Sequence, residues 1–530
     1  MKKWMSLLMA LTLLTLTACG GGGEGENKPT PEESKQPVAE QPAQPELEKA
    51  PVAEDEKKET ILPLQLMQGA NGLSEWDDNY HDLCTANWEV LALNADDAKV
   101  WPKLAAALED LNREQYEDAA LFMQEWLPAA KEMDPEYFGG FTNTVEYSVQ
   151  RADSRILSVR EDWDNYTGGV HPNYGVFGIN FDTAAGELLD LDDVLTDVDR
   201  LYPLLAKTLE EKYPEALYDD PAELMKNYAP ESLNWTVSYQ SITFYFSPYE
   251  IAPYAAGLLT ATVWFDEQPE LFRSEYTTAP TDGWAMALPN WYAVEFDRKA
   301  GDGQRDTLSL NTYESEYGSK QLVMILNETE YQEEDWTAFD INAYLVCAGE
   351  KFYLYVEGRG ENDYRTMYIY DLNGPAPKLV SEFSGAGFIG RWDENAGVGG
   401  VYYYDVMTAI TDFTLGSKCD LLGTKTAVRQ YNVNGGDRTL QPLAEEYGFV
   451  GELEPIVSTV PLEVTVLPGS KETLPGGTEF FFLRTDNESY VVLELADGRE
   501  CRIDIVEIDW IPTINGVPEW ECFEDLMYAG

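Results

Sequence analysis

Apolar residues along the 530-residue chain change period several times, and each change predicts an element. Val100, Leu104, Ala107, Leu108 and Leu111 recur at helical spacing behind Asn94-Ala95-Asp96-Asp97, a run suited to cap a helix. A second helix is expected from about Glu114 to Lys131. The period then drops to two. Phe141 to Val149 alternates, Arg155 to Trp163 alternates again, and Asp153-Ser154 is the expected hairpin turn between them. Tyr174 to Phe181 is a further strand, ending in a turn at Gly186. Leu201, Leu204, Leu205 and Leu209 share one face of a helix expected from about Val198 to Lys212. Trp235 to Phe246 and a run ending at Phe265 read as strands. Helices, strands, helix, strands is an α+β order.

From about residue 276 the texture becomes all-β. Short runs (Trp291 to Phe296, Leu308 to Tyr313, Gln321 to Leu326, Ala343 to Val346, Lys351 to Val356, Thr366 to Tyr370) alternate with Gly, Asn and Asp turns, as in a sandwich or an incomplete propeller. The last 75 or so residues carry the turns Leu474-Pro475-Gly476-Gly477-Thr478 and Ala496-Asp497-Gly498-Arg499 between strand-like runs, and resemble a bacterial SH3-like barrel. The length exceeds what one core serves. The expected fold class is therefore a multidomain α+β chain: an α+β module at 60–275, all-β structure at 276–455 and a small C-terminal β-barrel at 456–530.

The N-terminus predicts an address. Lys2-Lys3 precede an apolar run from Trp4 to Leu16, too short for a permanent membrane span, and Leu16-Thr17-Ala18-Cys19-Gly20 follows. This resembles a bacterial lipobox, which implies a signal peptide at 1–18 and diacylglyceryl attachment at Cys19. Residues 19–59 are Gly- and then Pro/Glu/Lys/Gln-rich, a linker too poor in apolar side chains to fold. The expected location is the extracytoplasmic face of the membrane of a Gram-positive bacterium, held by acyl chains.

Charge and cysteine usage narrow the partners. Against 36 Lys and Arg stand 95 Asp and Glu, a formal net charge of -59, which repels phosphate backbones and excludes nucleic acid as a partner. A basic protein or a wall component fits that surface. Cys84, Cys347, Cys419, Cys501 and Cys522 are far apart with no C-x-x-C spacing, so neither a zinc nor a redox motif is present; Cys501 and Cys522 are the pair whose bond would close a C-terminal loop.

Catalytic candidates are scarce. With only His81 and His171, and no G-x-S-x-G, no nucleophile–base pairing is legible, and the chain reads as a non-enzyme. An envelope enzyme acting on peptidoglycan glycan or peptide is the alternative; paired carboxylates carry no signal for it, because some pair is always available in so acidic a chain. No cofactor is expected beyond a candidate Ca2+ loop: Asp297, Asp302 and Asp306 with Gly303 resemble the calcium loops of some propellers, although Lys299 stands where an acid is usual.

Three motifs carry a wider resemblance. They are Tyr166-Thr167-Gly168-Gly169-Val170-His171-Pro172-Asn173, then Asp182 with Gly186, Leu189, Leu191 and Asp193, then Tyr249-Glu250-Ile251-Ala252-Pro253-Tyr254-Ala255-Ala256-Gly257. In this order they resemble the extracellular domain of the anti-sigma-V factor, a similar domain preceding the catalytic domain of the peptidoglycan deacetylase PdaC. The resemblance spans about 70 to 270. It implies a receptor-like α+β fold and a binding role, lysozyme being the ligand of the anti-sigma-V domain. The sigma-binding segment, the transmembrane helix and the deacetylase domain of those families are absent, so those activities do not transfer. Tyr166, His171 and Tyr249, as loop residues on a strand scaffold, are the candidate ligand contacts.

Overall fold

The computed structural model describes residues 60–134, 138–226, 228–299, 304–314, 320–332, 338, 340–360, 364–385, 387–397, 399–409, 413–433, 440–450 and 453–528. The expected signal peptide, Cys19 and the linker lie outside the described residues. Residues Glu59–Gly530 cluster as one compact unit. Among the described residues no helix is long and apolar enough to cross a membrane.

The first sheet contains β1 (Leu66–Trp76), β2 (Asp82–Leu93), β3 (Phe141–Ala152), β4 (Ile156–Tyr166) and β5 (Asn173–Asp182). All neighbours pair antiparallel except β2 and β3, which are parallel. A parallel pair needs a crossover, and α1 (Ala95–Val100) and α2 (Pro102–Ala130) supply it. Asn94 caps α1, its side chain accepting from the N–H groups of Asp96 and Asp97 at 3.1 and 2.8 Å. The helix expected to continue to Leu111 stops at Trp101 (φ -118°, ψ 57°). Pro102 explains the stop, since the residue before a proline is forced out of the α region while proline itself suits a helix's first turn. Nothing between Leu111 and Glu114 breaks the backbone again, so the two expected helices give way to a short one and a 29-residue one. Leu104, Leu108, Phe122 and Met123 of α2 bury against Trp88, Val145, Tyr147 and Val149 of the sheet.

A second, three-stranded sheet, β6 (Asn234–Val237), β7 (Ser241–Phe246) and β8 (Leu259–Trp264), shares a core with α3 (Leu201–Lys212). The single strand expected from Trp235 to Phe246 instead turns at Ser238-Tyr239-Gln240, where the Ser238 N–H donates to the Ser241 carbonyl at 2.8 Å. This sheet lies close against β4 and β5. The Asn180 amide donates to the Trp235 carbonyl at 2.8 Å, and Ser158 Oγ accepts from the Val237 N–H at 2.8 Å. Gly178 permits the approach: a Cβ there would sit 1.7 Å from the Trp235 carbonyl oxygen.

Beyond residue 276 the chain is strand-rich. A five-stranded and a four-stranded sheet form from segments between Trp284 and Ser384 and share a core around Phe296, Leu310, Leu345 and Leu354. Strands Gly390–Asp393 and Val401–Asp405 then return to the first sheet, Val401–Asp405 pairing antiparallel with β1. The C-terminal strands do not make the expected closed barrel. Glu479–Thr485 pairs with Tyr447–Phe449, so the strands from Leu462 to Asp504 extend an eleven-stranded sheet that begins at Gly387 and ends at Ser470–Leu474, while Val506–Ile508, Ile511–Ile514 and Val517–Pro518 form a small sheet of their own. A strand edge occupied by that earlier segment is not available for closing a barrel.

Candidate functional site

The loop joining β4 to β5 and the loop joining β7 to β8 meet at one edge of the module. The first carries His171 and the second carries Tyr249 and Tyr254, about eighty residues apart in sequence. The His171 ring stacks on Tyr254 with centroids 3.8 Å apart and planes 22° apart. Tyr249 lies 5.5 Å from Tyr254 and 6.4 Å from His171. Tyr174, at the start of β5, meets Tyr254 edge-on at 5.5 Å and 75°. Such offset and edge contacts suit ring quadrupoles.

Hydrogen bonds fix the arrangement. His171 Nδ1 is 2.9 Å from the Pro172 carbonyl, which also accepts from the Tyr254 hydroxyl at 2.8 Å. A carbonyl can only accept, so Nδ1 carries the proton in this contact and Nε2 is left to accept; the Tyr249 hydroxyl stands 3.5 Å from it. The Tyr249 loop is locked from below. Glu250 accepts from the Ser247 N–H at 2.7 Å and from the Tyr228 hydroxyl at 3.0 Å, and Ser247 Oγ accepts from the Val176 N–H of β5 at 3.3 Å. Tyr249 itself has φ +70° and is 55% exposed. A bulky residue in the left-handed region carries strain that the surrounding loop must hold, a condition common at binding loops.

The face of β4 beside this cluster carries Arg160, Asp162 and Asp164. Arg160 pairs with Asp162 at 2.5 Å and places its guanidinium over Tyr245 and Tyr292, 5.1 and 4.5 Å from the ring centroids. Burial, with Asp162 adding to it, pushes the Tyr292 hydroxyl up to about 12. Asp164 is half-buried and pairs in register with Tyr174. Burial raises its pKa, and it in turn acts on Tyr254 and Tyr292, whose hydroxyls are raised by burial first and by Asp164 among their neighbours.

The structure therefore brings His171 and Tyr249 together and adds Tyr174, Tyr254 and Asp164, which sequence reasoning missed. Tyr166 closes its own loop, its hydroxyl donating to the Gly169 carbonyl at 3.3 Å. Tyr254 was present in the third motif, and the alternation of β4 places Asp164 beside Tyr174. What no periodicity reveals is that the two loops meet.

The candidate calcium residues are occupied differently. Asp297 is buried and takes Arg305 at one oxygen and the Lys299 N–H at the other, at 2.8 Å for the latter. Asp306 takes Arg298 at 2.5 Å and the Asn327 amide at 2.9 Å. Guanidinium groups thus stand beside both carboxylates; Asp302 lies outside the described residues. Among the described residues no group of three or more His, Cys, Asp or Glu is placed to hold a metal ion. His81 sits in an exposed turn, 2.8 Å from Asp77. Cys84, Cys347, Cys419, Cys501 and Cys522 are buried free thiols, so Cys501 and Cys522 are not bonded to each other, and burial pushes the Cys501 thiol up to about 11.

Comparison with known proteins finds a likeness over one stretch of the chain. Residues 192–266 match the model of a protein of unknown function, DUF3298. That stretch holds α3, the three-stranded sheet and the Tyr249 loop. A DUF3298 family member from Bacteroides fragilis is 17% identical, with 41% of this chain and 96% of that chain covered and a TM-score of 0.31. A DUF3298 family protein from Pseudomonas aeruginosa is also 17% identical, with 41% and 98% covered and a TM-score of 0.30. No curated protein matches the chain.

Proposed function

We propose that this protein is a lipid-anchored component of the bacterial cell envelope, attached through Cys19 at the extracytoplasmic face, whose module at 60–275 binds a basic partner protein without catalysing a reaction. A single observation carries the reading. Two loops distant in sequence are held by hydrogen bonds into an aromatic cluster of half-buried His171 and Tyr254 with exposed Tyr249, on a strongly acidic chain. Rigid aromatic side chains on loops are favoured contact groups because they cover area at little entropic cost. The resemblance to the extracellular domain of the anti-sigma-V factor makes lysozyme, a basic protein, the first partner to test.

The experiment is a pull-down of the unit from Glu59 onward against lysozyme and against purified peptidoglycan, at low and moderate salt. Saturable lysozyme binding that survives moderate salt is the expected result, since contacts beyond long-range charge persist when charge is screened. Retention on peptidoglycan alone, or release of muropeptides on long incubation, would overturn the reading.

A further inference from the structure

Along β4 one chemical pattern occurs twice. At the inner position Asp162 and the rings of Tyr245 and Tyr292 surround a cation, the guanidinium of Arg160. Two residues outward, Asp164 occupies the same face with Tyr174 beside it and Tyr254 and Tyr292 within electrostatic reach. Among the described residues no ion pair or hydrogen bond engages the Asp164 carboxylate. The rings of Tyr174 and Tyr254 meet at 75° and make a corner; His171 stacks on one face of Tyr254 at 3.8 Å, and the exposed Tyr249 lies 5.5 Å from Tyr254. An aromatic corner with a carboxylate at its base recognises an organic cation: the ring faces attract positive charge, and the carboxylate completes the pair in a partly desolvated place.

We propose that Asp164, Tyr174, Tyr254 and Tyr249 form a receptor for one basic side chain, an arginine, presented by the partner protein. Arginine is favoured over lysine because its planar guanidinium stacks on rings while pairing with a carboxylate, as Arg160 does one position inward. The inference rests on the binding role proposed above and deepens it: it names the chemistry the cluster reads.

The test uses ligand-observed saturation-transfer NMR on the full chain, with three probes: a blocked tripeptide Gly-Arg-Gly, the same peptide with citrulline in place of arginine, and choline. Transfer to the arginine side chain, little to citrulline, and weaker transfer to choline is the expected result. Asp164→Asn should weaken the arginine peptide about tenfold without lowering the thermal midpoint. Tyr249→Leu, at an exposed position, should weaken it severalfold. Equal binding of citrulline would reduce the site to uncharged stacking and overturn the proposal; so would tighter choline binding, which would make the occupant a quaternary ammonium. An unchanged affinity in Asp164→Asn overturns it as well. The two proposals fail separately. Lysozyme captured equally by the parent chain and by Asp164→Asn sinks the arginine receptor and leaves the binding role. Arginine-peptide binding without lysozyme capture keeps the receptor and sinks that partner.

Discussion

At the scale of single residues, the side chain with most at stake is Arg151. It is fully buried and pairs with Asp153, also fully buried, at 2.7 Å. Its remaining N–H groups donate to the carbonyls of Tyr276, of Thr278 at 3.0 Å and of Ser238 at 3.4 Å, and its guanidinium lies 5.1 Å from the Tyr239 ring centroid. Asp153 meanwhile accepts from the N–H groups of Arg155 and Ile156 at 2.8 and 3.1 Å and so shapes the hairpin turn. Burying a charge pair is costly unless every donor and acceptor is used, and here the set is nearly complete. Removing one partner strands the other. Arg151→Met should therefore destabilise the protein by about 3–5 kcal/mol, read by chemical denaturation. Arg151→Met with Asp153→Asn should recover part of that loss, because no uncompensated charge remains. A loss in Arg151→Met below about 1 kcal/mol, the range of an exposed pair, would mean that water reaches the guanidinium. Little of this was legible in advance. Asp153-Ser154 read correctly as a turn, but an arginine within an alternating strand looks like a solvent-facing residue until the strand's other face is known to be covered. The same ambiguity hid Asp164.

At the scale of elements, α2 does more than cover the sheet. Its Gln115 donates to Glu161 of β4 at 2.8 Å, and its Asp118 and the sheet's Tyr147 lie beside the same carboxyl. Glu161 is only 6% exposed. Burial, with Asp118 and Asp162 adding to it, pushes its carboxyl up to about 7. The unfolded chain holds such a group near 4.3, so between about 4.3 and about 7 the folded state binds a proton that the unfolded state does not. Stability from this group is therefore full below about pH 4, falls as pH rises to about 7, and is level above. A shift of this size corresponds to about 4 kcal/mol. Glu161→Gln, which keeps an acceptor for Gln115, should reduce the slope of the thermal midpoint between pH 5 and 7, leaving the part that belongs to Glu89, whose carboxyl burial pushes up to about 8, and raise stability at pH 8 by about 2–3 kcal/mol. A slope left unchanged by the substitution would place its origin wholly in other acids, Glu89 first. The helical period was legible, but the boundary at Pro102 was not, and the helix was expected as two pieces; the polar contact was not legible either, since Glu161 falls in the middle of an ordinary strand alternation. Turns show the same divide. Asn515-Gly516 is a two-residue hairpin turn of the expected composition, with φ of 52° and 84°. Asp509-Trp510 makes the preceding turn with φ of 50° and 67°, and no propensity would place tryptophan there.

At the scale of the whole molecule, the chain's order and its architecture part company. The strand Val401–Asp405 was not among the runs the sequence pattern marked, and its partner is β1, more than 300 residues earlier. Local periods carry side-chain direction; they carry nothing about which distant edge a strand completes. The consequence bears on whether the module at 60–275, which the sequence pattern delimits, stands alone. Val401 and Tyr403 are buried in the first core. The Thr408 hydroxyl donates to the Leu64 carbonyl at 2.5 Å, and the Gln150 amide donates to the Ala287 carbonyl at 3.2 Å. Two of the carbonyls that satisfy Arg151 belong to Tyr276 and Thr278. A fragment ending at 275 loses all of these at once. Each large apolar side chain taken from the core costs about 1.5–3 kcal/mol, and each acceptor lost to a buried guanidinium costs about 1.5–3 kcal/mol. That total reaches the 5–15 kcal/mol by which a typical domain is stable at all. The fragment 60–275 should therefore fail to show a cooperative thermal transition, while the intact unit from Glu59 unfolds with the first sheet and Val401–Asp405 together. Adding the separately expressed segment 276–530 should restore the transition in part, because the missing strand and carbonyls return in trans. A fragment 60–275 that melts cooperatively at the temperature of the intact chain would show that the returning strand decorates the first sheet rather than completing it.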